Sequence, residues 1–293
     1  MILLNKEAGI TSFDALRDIK RALGTGKVGH TGTLDKFARG LLLVLTGSAL
    51  KLSKWFTRCD KRYIGKIHFG VETDTLDPEG LSIARAPLPL KEDVESAISR
   101  FTGTIQQTPP AFSAIHVNGK RASDMARSGV TPELRKRPVT VYGLELRSWE
   151  PPFADIFVHC SCGTYIRSLA RDIALAAGSR AHLRELTRTS IAAFELESGE
   201  WRAWDNSGDG GVLPLPINRK VISALGAPWF EVSEEETRHF FHGKPLDMAL
   251  DGKPLHNSGS FAASSFAAVF LGDRLIAIVD RVNGEWKYGC VFA

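Results

Sequence analysis

The chain has 293 residues, of which 43% are hydrophobic and 24% are charged, and its formal net charge is +4. This balance excludes a disordered or fibrous protein and allows one large domain together with a smaller one. No run of 18 apolar residues and no secretory leader pattern is present, so we expect a cytoplasmic protein with no membrane partner. The four cysteines are then expected to be reduced thiols, and their spacing does not form a zinc site.

The first predicted helix covers residues 11 to 24, where Thr11 or Ser12 can act as the N-cap. Its buried face is predicted to carry Phe13, Leu16, Ile19 and Leu23. Residues 24 to 29 then match the dinucleotide-binding pattern G-x-G-x-x-G, but that pattern must follow a strand and open a helix. Here it follows a helix, and Val28 does not suit a phosphate-binding loop either. We therefore expect no nucleotide cofactor.

The stretch GHTGTLDKFARG, residues 29 to 40, places Asp35 among small and polar residues. Residues 41 to 45, LLLVL, follow directly and are predicted to form a buried strand, because five apolar residues are bounded by Gly40 and Gly47. Asp35 would then lie on a loop that is fixed to the core, where a carboxylate can meet a substrate. An ordinary glycine-rich turn, in which Asp35 bonds only to neighbouring backbone amides, fits the same residues.

The rest of the chain alternates short helices and strands. Helices are predicted over residues 49–56, 91–101, 165–177 and 234–242, and strands over residues 63–71, 112–117, 139–146, 156–162, 267–272 and 275–280. Residues 73–80, TDTLDPEG, are predicted to form a capped surface turn. A change of composition at residues 206–216 indicates a linker, so we expect one domain over residues 1–222 and a small barrel over residues 223–293.

Positive charges cluster in the middle of the chain. The clusters are Lys120 with Arg121, then Arg127, and then the run from Arg135 to Arg137. Such charges are common on solvated surfaces, but this density is high for a chain whose net charge is only +4. We expect a basic groove that faces RNA.

Two further side chains suit the recognition of a base and the support of an acid. Tyr63 opens a strand next to Lys61 and Arg62, so its ring can stack on a nucleobase while the cations meet phosphates. Aromatic residues at strand starts are also ordinary core residues. Arg167 is predicted to lie in the first turn of a helix, and its paired N–H donors suit a carboxylate such as Asp35. By position alone, Arg167 would be a surface residue.

Taken together, these motifs resemble one known family. GHTGTLDKFARG is similar, almost residue for residue, to the G-H-T-G-T-L-D-P-x-A-x-G signature of the TruB family, the bacterial tRNA pseudouridine-55 synthases. Other blocks resemble the family in the same order: residues 3–16 (LLNKEAGITSFDAL), 60–80 (DKRYIGKIHFGVETDTLDPEG), 107–120 (QTPPAFSAIHVNGK) and 162–173 (CGTYIRSLARDI).

The resemblance implies both a fold and a function. The fold would be α+β, a pseudouridine synthase fold with a mixed, mostly antiparallel central sheet, followed by a C-terminal PUA-like β-barrel that binds RNA. The function would be isomerisation of uridine to pseudouridine at position 55 in the T-loop of tRNA. The reaction would need no cofactor and no metal, and the protein is expected to be a monomer whose partner is the T-arm of tRNA.

The resemblance also assigns roles to individual residues. Three are expected to be catalytic: Asp35 as the carboxylate, Arg167 as its ionic partner, and Tyr63 as the ring that stacks on the target base. Five are expected to bind the substrate, namely His30, Lys51, Tyr165, Leu186 and Arg137. Among these, His30 would fill the gap that the flipped base leaves in the RNA.

The chain departs from the usual family residues at a few positions. Lys36 and Glu7 stand where proline is usual, His116 where lysine is usual, and Ser123 where tyrosine is usual. Lys36 follows Asp35 directly, so we expect a less rigid loop.

Two other functions fit parts of the sequence. An RNA-binding protein without chemistry would keep the scaffold but is expected to lose Asp35, and a hydrolase would need a second acid or base at motif spacing.

Overall fold

The computed structural model describes residues 1–197, 201, 203–204, 212, 214–250, 252–256 and 265–292. Residues 206–211 of the predicted linker lie outside these ranges. Within them, the strands are β1 (Ile2–Lys6), β2 (Val28–His30), β3 (Arg39–Thr46), β4 (Lys61–Phe69), β5 (Val71–Thr73), β6 (Ser82–Arg85), β7 (Gly103–Gln107), β8 (His116–Val117), β9 (Lys120–Arg121), β10 (Arg137–Glu150), β11 (Phe153–Cys160), β12 (Ala181–Ile191), β13 (Phe194–Glu195), β14 (Trp229–Glu231), β15 (Phe266–Leu271), β16 (Arg274–Val282) and β17 (Glu285–Val291). The helices are α1 (Arg17–Ala22), α2 (Ser53–Phe56), α3 (Lys91–Ser99), α4 (Ala122–Arg127), α5 (Ile166–Ala176), α6 (Arg219–Ala224), α7 (Glu234–Phe241) and α8 (Asp247–Leu250), with 3₁₀ turns at Asp14–Leu16 and Gly47–Leu52.

The central sheet has the order β1-β3-β12-β4-β11-β10-β7, with β2 paired to β3 and β13 paired to β12. Its ladders are antiparallel except at β3 and β12, which run parallel where Arg39 and Gly40 face Thr187 and Arg188. The prediction of a mixed, mostly antiparallel sheet is therefore confirmed. The parallel contact matters for the site because it joins the start of β3, just after Asp35, to β12.

Strand β3 is buried on both faces, as its unbroken apolar run predicts. Leu41, Leu43 and Leu45 pack into one core, whereas Leu42 and Val44 pack into another beneath the N-terminal segment. The prediction of a buried strand directly after Asp35 is confirmed. Strand β3 therefore anchors one end of the Asp35 loop, by which we mean residues 31–38 between β2 and β3.

A third core lies between the sheet and α5. It contains Ile67 from β4, Val158 from β11, Leu183 from β12, and Leu169 and Ile173 from α5. Burial of apolar side chains on one face of α5 fixes this helix against three neighbouring strands. This packing also fixes the position of the first turn of α5, where Arg167 lies.

Three predictions about local structure are wrong. The helix over residues 11–24 is a 3₁₀ turn followed by the short α1, and Phe13 is 70% exposed instead of buried. The strand over residues 112–117 is reduced to β8, and the carbonyl of Phe112 accepts a hydrogen bond from Arg167 instead of a strand partner. Finally, Asp77 in the predicted surface turn is only 6% exposed.

The C-terminal part forms a four-stranded sheet in the order β14-β15-β16-β17. It packs directly on the central sheet, since Ala268, Phe270 and Ile278 share a core with Leu43 and Trp55. The division at residues 222 and 223 and the closure of this sheet into a barrel stay predictions. Among the described helices, none is long and apolar enough to cross a membrane.

Candidate active site

A cavity of about 430 Å³ opens where the Asp35 loop, β4, β12 and the N-terminus of α5 meet. Its lining includes six of the predicted site residues, namely Asp35, Tyr63, Arg137, Tyr165, Arg167 and Leu186. These residues come from five separate parts of the chain, and the fold brings them to one place. The volume lies within the usual range for small-ligand sites, roughly 300–1,000 Å³.

Arg167 holds the Asp35 carboxylate inside this cavity. Its Nη2 donates a 3.0 Å hydrogen bond to Oδ1 of Asp35, and its Nε forms an ion pair with Oδ2 at 2.8 Å. The Arg167 side chain is only 4% exposed, whereas that of Asp35 is 35% exposed. The cation is therefore a buried support, and the carboxylate is the member of the pair that a ligand can reach.

A second carboxylate lies on the other side of the guanidinium. Oδ2 of Asp77 lies 3.3 Å from Nη1 of Arg167, and Oδ1 of Asp77 accepts hydrogen bonds from Thr75 Oγ1 at 2.6 Å and from the Glu79 amide at 3.0 Å. Arg167 thus lies between two acids, of which Asp77 is buried. A turn that fixes Asp77 so tightly also fixes the orientation of the guanidinium that meets Asp35.

Burial raises the pKa of Asp35 above its usual range. The Arg167 charge opposes this rise, and the Asp77 charge adds to it. The ion pair with Arg167 favours the ionised form of Asp35. The carboxylate of Asp77 makes that ionised form less stable than it would be without Asp77. Such a carboxylate is more basic than one in water, which suits attack on a substrate or removal of a proton from it.

The first turn of α5 is positioned by polar contacts to the end of β7 and to two loop segments. The side chain of Gln107, which is fully buried, accepts from the Tyr165 amide at 2.9 Å and donates to the Tyr165 carbonyl at 3.1 Å. Arg167 itself donates to the carbonyls of Thr75 and Phe112 at 2.8 and 3.0 Å. Together with the contacts to Asp35 and Asp77, these bonds engage both Nη1 and Nη2 of the guanidinium and leave it little freedom to move.

Tyr63 and Leu186 form apolar surfaces in the cavity. Tyr63 lies on β4 directly opposite Arg188 of β12, and its side chain is 8% exposed. Burial raises the pKa of the Tyr63 hydroxyl, and the Arg188 guanidinium beside it opposes that rise. Leu186 lies opposite Gly65, whose lack of a side chain leaves room for its neighbours. An aromatic ring and an aliphatic side chain in one cavity suit a flat, uncharged ring such as a nucleobase.

The rim of the cavity is basic. The guanidinium of Arg137 lies 5.0 Å from the centre of the Tyr165 ring and donates to the Gly163 carbonyl. Arg121 also lines the opening. Cations at the edge of a cavity with an aromatic lining suit a ligand that carries phosphates outside the buried ring.

Two predicted substrate-binding residues are not brought to this cavity. His30, in β2, is half-buried, and its Nδ1 is buried without a hydrogen-bond partner among the described residues. Lys51 donates to the Val291 carbonyl at 3.0 Å and lies 5.5 Å from the centre of the Phe292 ring, so it contacts the C-terminal strand. Any contact of Lys51 with RNA would be made away from Asp35.

The sequence analysis did not place three buried polar residues at the site, although it expected one of them, Lys61, to meet phosphates. Asp77 is one of them. Its motif, TDTLDPEG, predicts a turn but does not indicate whether that turn is exposed or buried. Lys61 lines the cavity and donates to the carbonyls of Thr57 and Cys59, and burial lowers its pKa. Arg188 also lines the cavity and is 1% exposed. Lys61 and Arg188 lie in strands that carry several other charged residues, so the sequence offered no local signal that these two are buried. Among the described residues, no group of His, Cys, Asp and Glu side chains is placed to hold a metal ion.

The overall fold is that of the Cbf5 pseudouridine synthases. One similar solved structure is a Cbf5–Nop10–Gar1 complex, with a TM-score of 0.69 and 24% identity over 98% of this chain and 82% of that chain. Another is an H/ACA RNP bound to a substrate RNA containing 2′-deoxyuridine, with a TM-score of 0.66 and 22% identity over 98% and 81%. At these identities the likeness shows the fold alone.

Sequence comparison identifies the family. Residues 20–166 match the model of the TruB family pseudouridylate synthase, N-terminal domain. The chain is 44% identical to tRNA pseudouridine synthase B of Treponema denticola over 98% of its own length and 90% of that protein. It is also 44% identical to the protein of the same name from Borreliella burgdorferi, over 67% of this chain and 71% of that one. The chain belongs to the TruB family and is a pseudouridine synthase.

Proposed function

We propose that this enzyme isomerises uridine to pseudouridine in tRNA, at position 55 of the T-loop, and that it acts as a monomer in the cytoplasm. The observation that carries the proposal is the Asp35 carboxylate, held by Arg167 in a cavity that also presents Tyr63 and Leu186. The similar proteins named tRNA pseudouridine synthase B support tRNA as the substrate. A carboxylate that a ligand can reach inside the cavity argues against a pure RNA-binding protein, which would have no need of it.

A uracil base inside a folded loop must leave its stack before it can enter this cavity, at a cost of a few kcal/mol. The flipped base would stack on Tyr63 and pack against Leu186, with its sugar directed to Asp35. His30 would take the place of the base in the RNA. The cationic rim at Arg121 and Arg137 would bind the neighbouring phosphates.

The reaction breaks the bond from C1′ to N1 and forms a bond from C1′ to C5. N1 gains a proton, and the hydrogen on C5 leaves to water. Asp35 could attack C1′, add to C6, or remove the 2′ proton to give a glycal, and each route begins with the ionised carboxylate. Arg167 supports that form in all three cases.

The C-terminal sheet is proposed to be a PUA-like RNA-binding unit that adds affinity for tRNA. Its support is the position in the chain and the four strands that follow residue 228. Because this sheet shares a core with the catalytic part, it would act as a rigid extension of the RNA-binding surface.

Release of tritium tests the proposal. Transfer RNA labelled with tritium at C5 of uracil should release about one tritium per molecule to water, with no added cofactor. A matched tRNA with cytidine at position 55 should release none. No release from a tRNA that the protein binds would favour the RNA-binding function, and release from the cytidine-55 tRNA would place the modification at another position.

A further inference from the structure

The Asp35 loop is held by a buried arginine on a neighbouring strand. Nε of Arg188 donates to the carbonyl of Leu41 at 2.6 Å, and Nη2 donates to the carbonyl of Gly32 at 3.2 Å. One guanidinium therefore joins the backbone at the start of the loop to the backbone just after it. Because the guanidinium is planar and its donors are fixed, two such bonds define the separation of the loop ends.

Gly40 allows this contact. It faces Arg188 in the parallel ladder and has a φ of +106°. A Cβ at this position would lie 2.8 Å from the backbone nitrogen of Arg188 and closer still to its carbonyl oxygen. The loop therefore returns to the sheet in direct contact with the backbone of Arg188, and only glycine fits there.

The opposite side of the loop is fixed by the N-terminal segment. Ser12 Oγ accepts from the Leu34 amide and donates to the Leu34 carbonyl, both at 2.9 Å. The carbonyl of Lys36 accepts from the Gly9 amide at 2.8 Å. Both neighbours of Asp35 in the chain are thus held by hydrogen bonds, so the loop is fixed without the proline that the family signature has after the aspartate.

Within the part of the chain that the structure describes, Arg188 donates to backbone carbonyls and forms no ion pair with a carboxylate. Burial of a guanidinium is costly unless its charge is balanced, so a core position alone does not explain this residue. Arg188 also faces Tyr63 across the ladder between β4 and β12. It is thus the one described side chain that bonds both loop ends and lies opposite the stacking ring.

We propose that Arg188 is a positioning residue that sets the Asp35 loop, and through it the carboxylate, relative to Tyr63. The expected effect of Arg188 on the reaction rate rests on the proposed function, whereas its effect on the position of the loop does not. A displacement of about 1 Å in a reacting group can lower a rate by roughly 100-fold. A lysine at this position keeps the charge but cannot bond both carbonyls in the fixed geometry.

Arg188→Lys tests the inference, with Arg184→Lys as its control on an exposed position of the same strand. Hydrogen exchange of the Leu34 and Ala38 amides should become about tenfold faster in Arg188→Lys, while the amides of β4 and β11 keep their protection. In single-turnover assays the rate should fall by roughly 100-fold, with the dissociation constant for tRNA within threefold and the pH dependence unchanged. Arg184→Lys should behave like the parent.

Ser12→Ala loosens the loop from the side that does not line the cavity, and it should give the same pattern if Arg188→Lys fails to fold. Hydrogen exchange of the loop amides that stays at the parental rate in a folded variant would overturn the inference. A fall in the single-turnover rate that is fully explained by weaker tRNA binding would overturn it as well. A parent protein that releases no tritium would refute the proposed function instead. The exchange measurement would still decide the role of Arg188 in that case.

Discussion

Arg167 donates a 3.0 Å hydrogen bond from Nη2 to Oδ1 of Asp35, although the two residues are 132 positions apart in the chain. The same guanidinium contacts Asp77 at 3.3 Å. Asp35 therefore lies beside one positive and one negative group, and both affect its protonation. The pH dependence of the reaction should report this arrangement.

We predict that the single-turnover rate falls at acidic pH with a midpoint above the ordinary aspartate pKa of about 3.9. Burial raises the pKa of Asp35, so its ionised, reactive form is lost at a higher pH than for a carboxylate in water. In Asp77→Asn a neighbouring negative charge is removed, so the pKa of Asp35 should fall and the midpoint should move to lower pH. Rates measured with saturating enzyme from pH 4 to pH 8 give both midpoints.

Asp74→Asn is the control for this experiment, because Asp74 belongs to the same turn but accepts from the Leu81 amide instead of Arg167. Its midpoint should match that of the parent. A midpoint that moves to higher pH in Asp77→Asn would show that Asp77 acts on Asp35 in some way other than through its charge.

The ring of Tyr63, more than its hydroxyl, should support the reaction. Tyr63→Phe keeps the ring and should keep tRNA binding within several-fold. Tyr63→Ala should lose the stacking energy of roughly 1–3 kcal/mol per base. Because Tyr63 is buried, the truncation should also lower the free energy of unfolding by about 3–5 kcal/mol.

Binding, single-turnover rates and thermal unfolding of both Tyr63 variants separate these effects. Tyr142→Ala, on an exposed position of β10, serves as the control and should leave the rate unchanged. A folded Tyr63→Ala that reacts at the parental rate would remove Tyr63 from the list of site residues.

The contact between α2 and the C-terminal sheet should be sensitive to one methyl group at Gly289. A Cβ there would lie 2.5 Å from a ring carbon of Trp55 and 2.9 Å from the Ile278 carbonyl. Trp55 is in turn fixed by a 2.7 Å hydrogen bond from its Nε1 to Asp280. Gly289→Ala should therefore lower the free energy of unfolding by about 1–3 kcal/mol, as measured by chemical denaturation.

Gly143→Ala is the matched control, since the nearest atom to a Cβ at Gly143 is 3.9 Å away. Equal stability of the two variants would contradict the close packing of Trp55 against β17. Deletion of residues 223–293 would be a poorer test of the division into domains, because it would expose the core that Phe270 and Ile278 share with Leu43.

The sequence predicted those features whose cause is local. The strand over residues 41–45 followed from an unbroken apolar run. The pairing of Asp35 with Arg167 is not local, and it was expected from the family resemblance, because by position alone Arg167 would be a surface residue. The position of Asp77 could not be predicted, because proline, glycine and acidic residues favour a turn whether it is exposed or buried. Phe13 was misplaced because helical periodicity was extended across a segment that forms a 3₁₀ turn.

Contacts between distant parts of the chain account for the remaining differences. No local pattern indicates that Lys51 bonds to Val291, which lies 240 positions later. The contacts of Arg188 to Gly32 and Leu41 depend in the same way on the order of strands in the sheet. Burial of a charged residue among apolar neighbours becomes interpretable only when its partners are known.

The most direct test of the account is Asp35→Asn with C5-tritiated tRNA. Asparagine keeps the shape of the side chain and removes its charge, so the variant should fold and bind tRNA within several-fold of the parent. Loss of the reactive carboxylate should lower tritium release by several orders of magnitude. Asp273→Asn, on an exposed turn between β15 and β16, should release tritium like the parent. Release that persists in Asp35→Asn at a comparable rate would contradict the central claim that this carboxylate performs the chemistry.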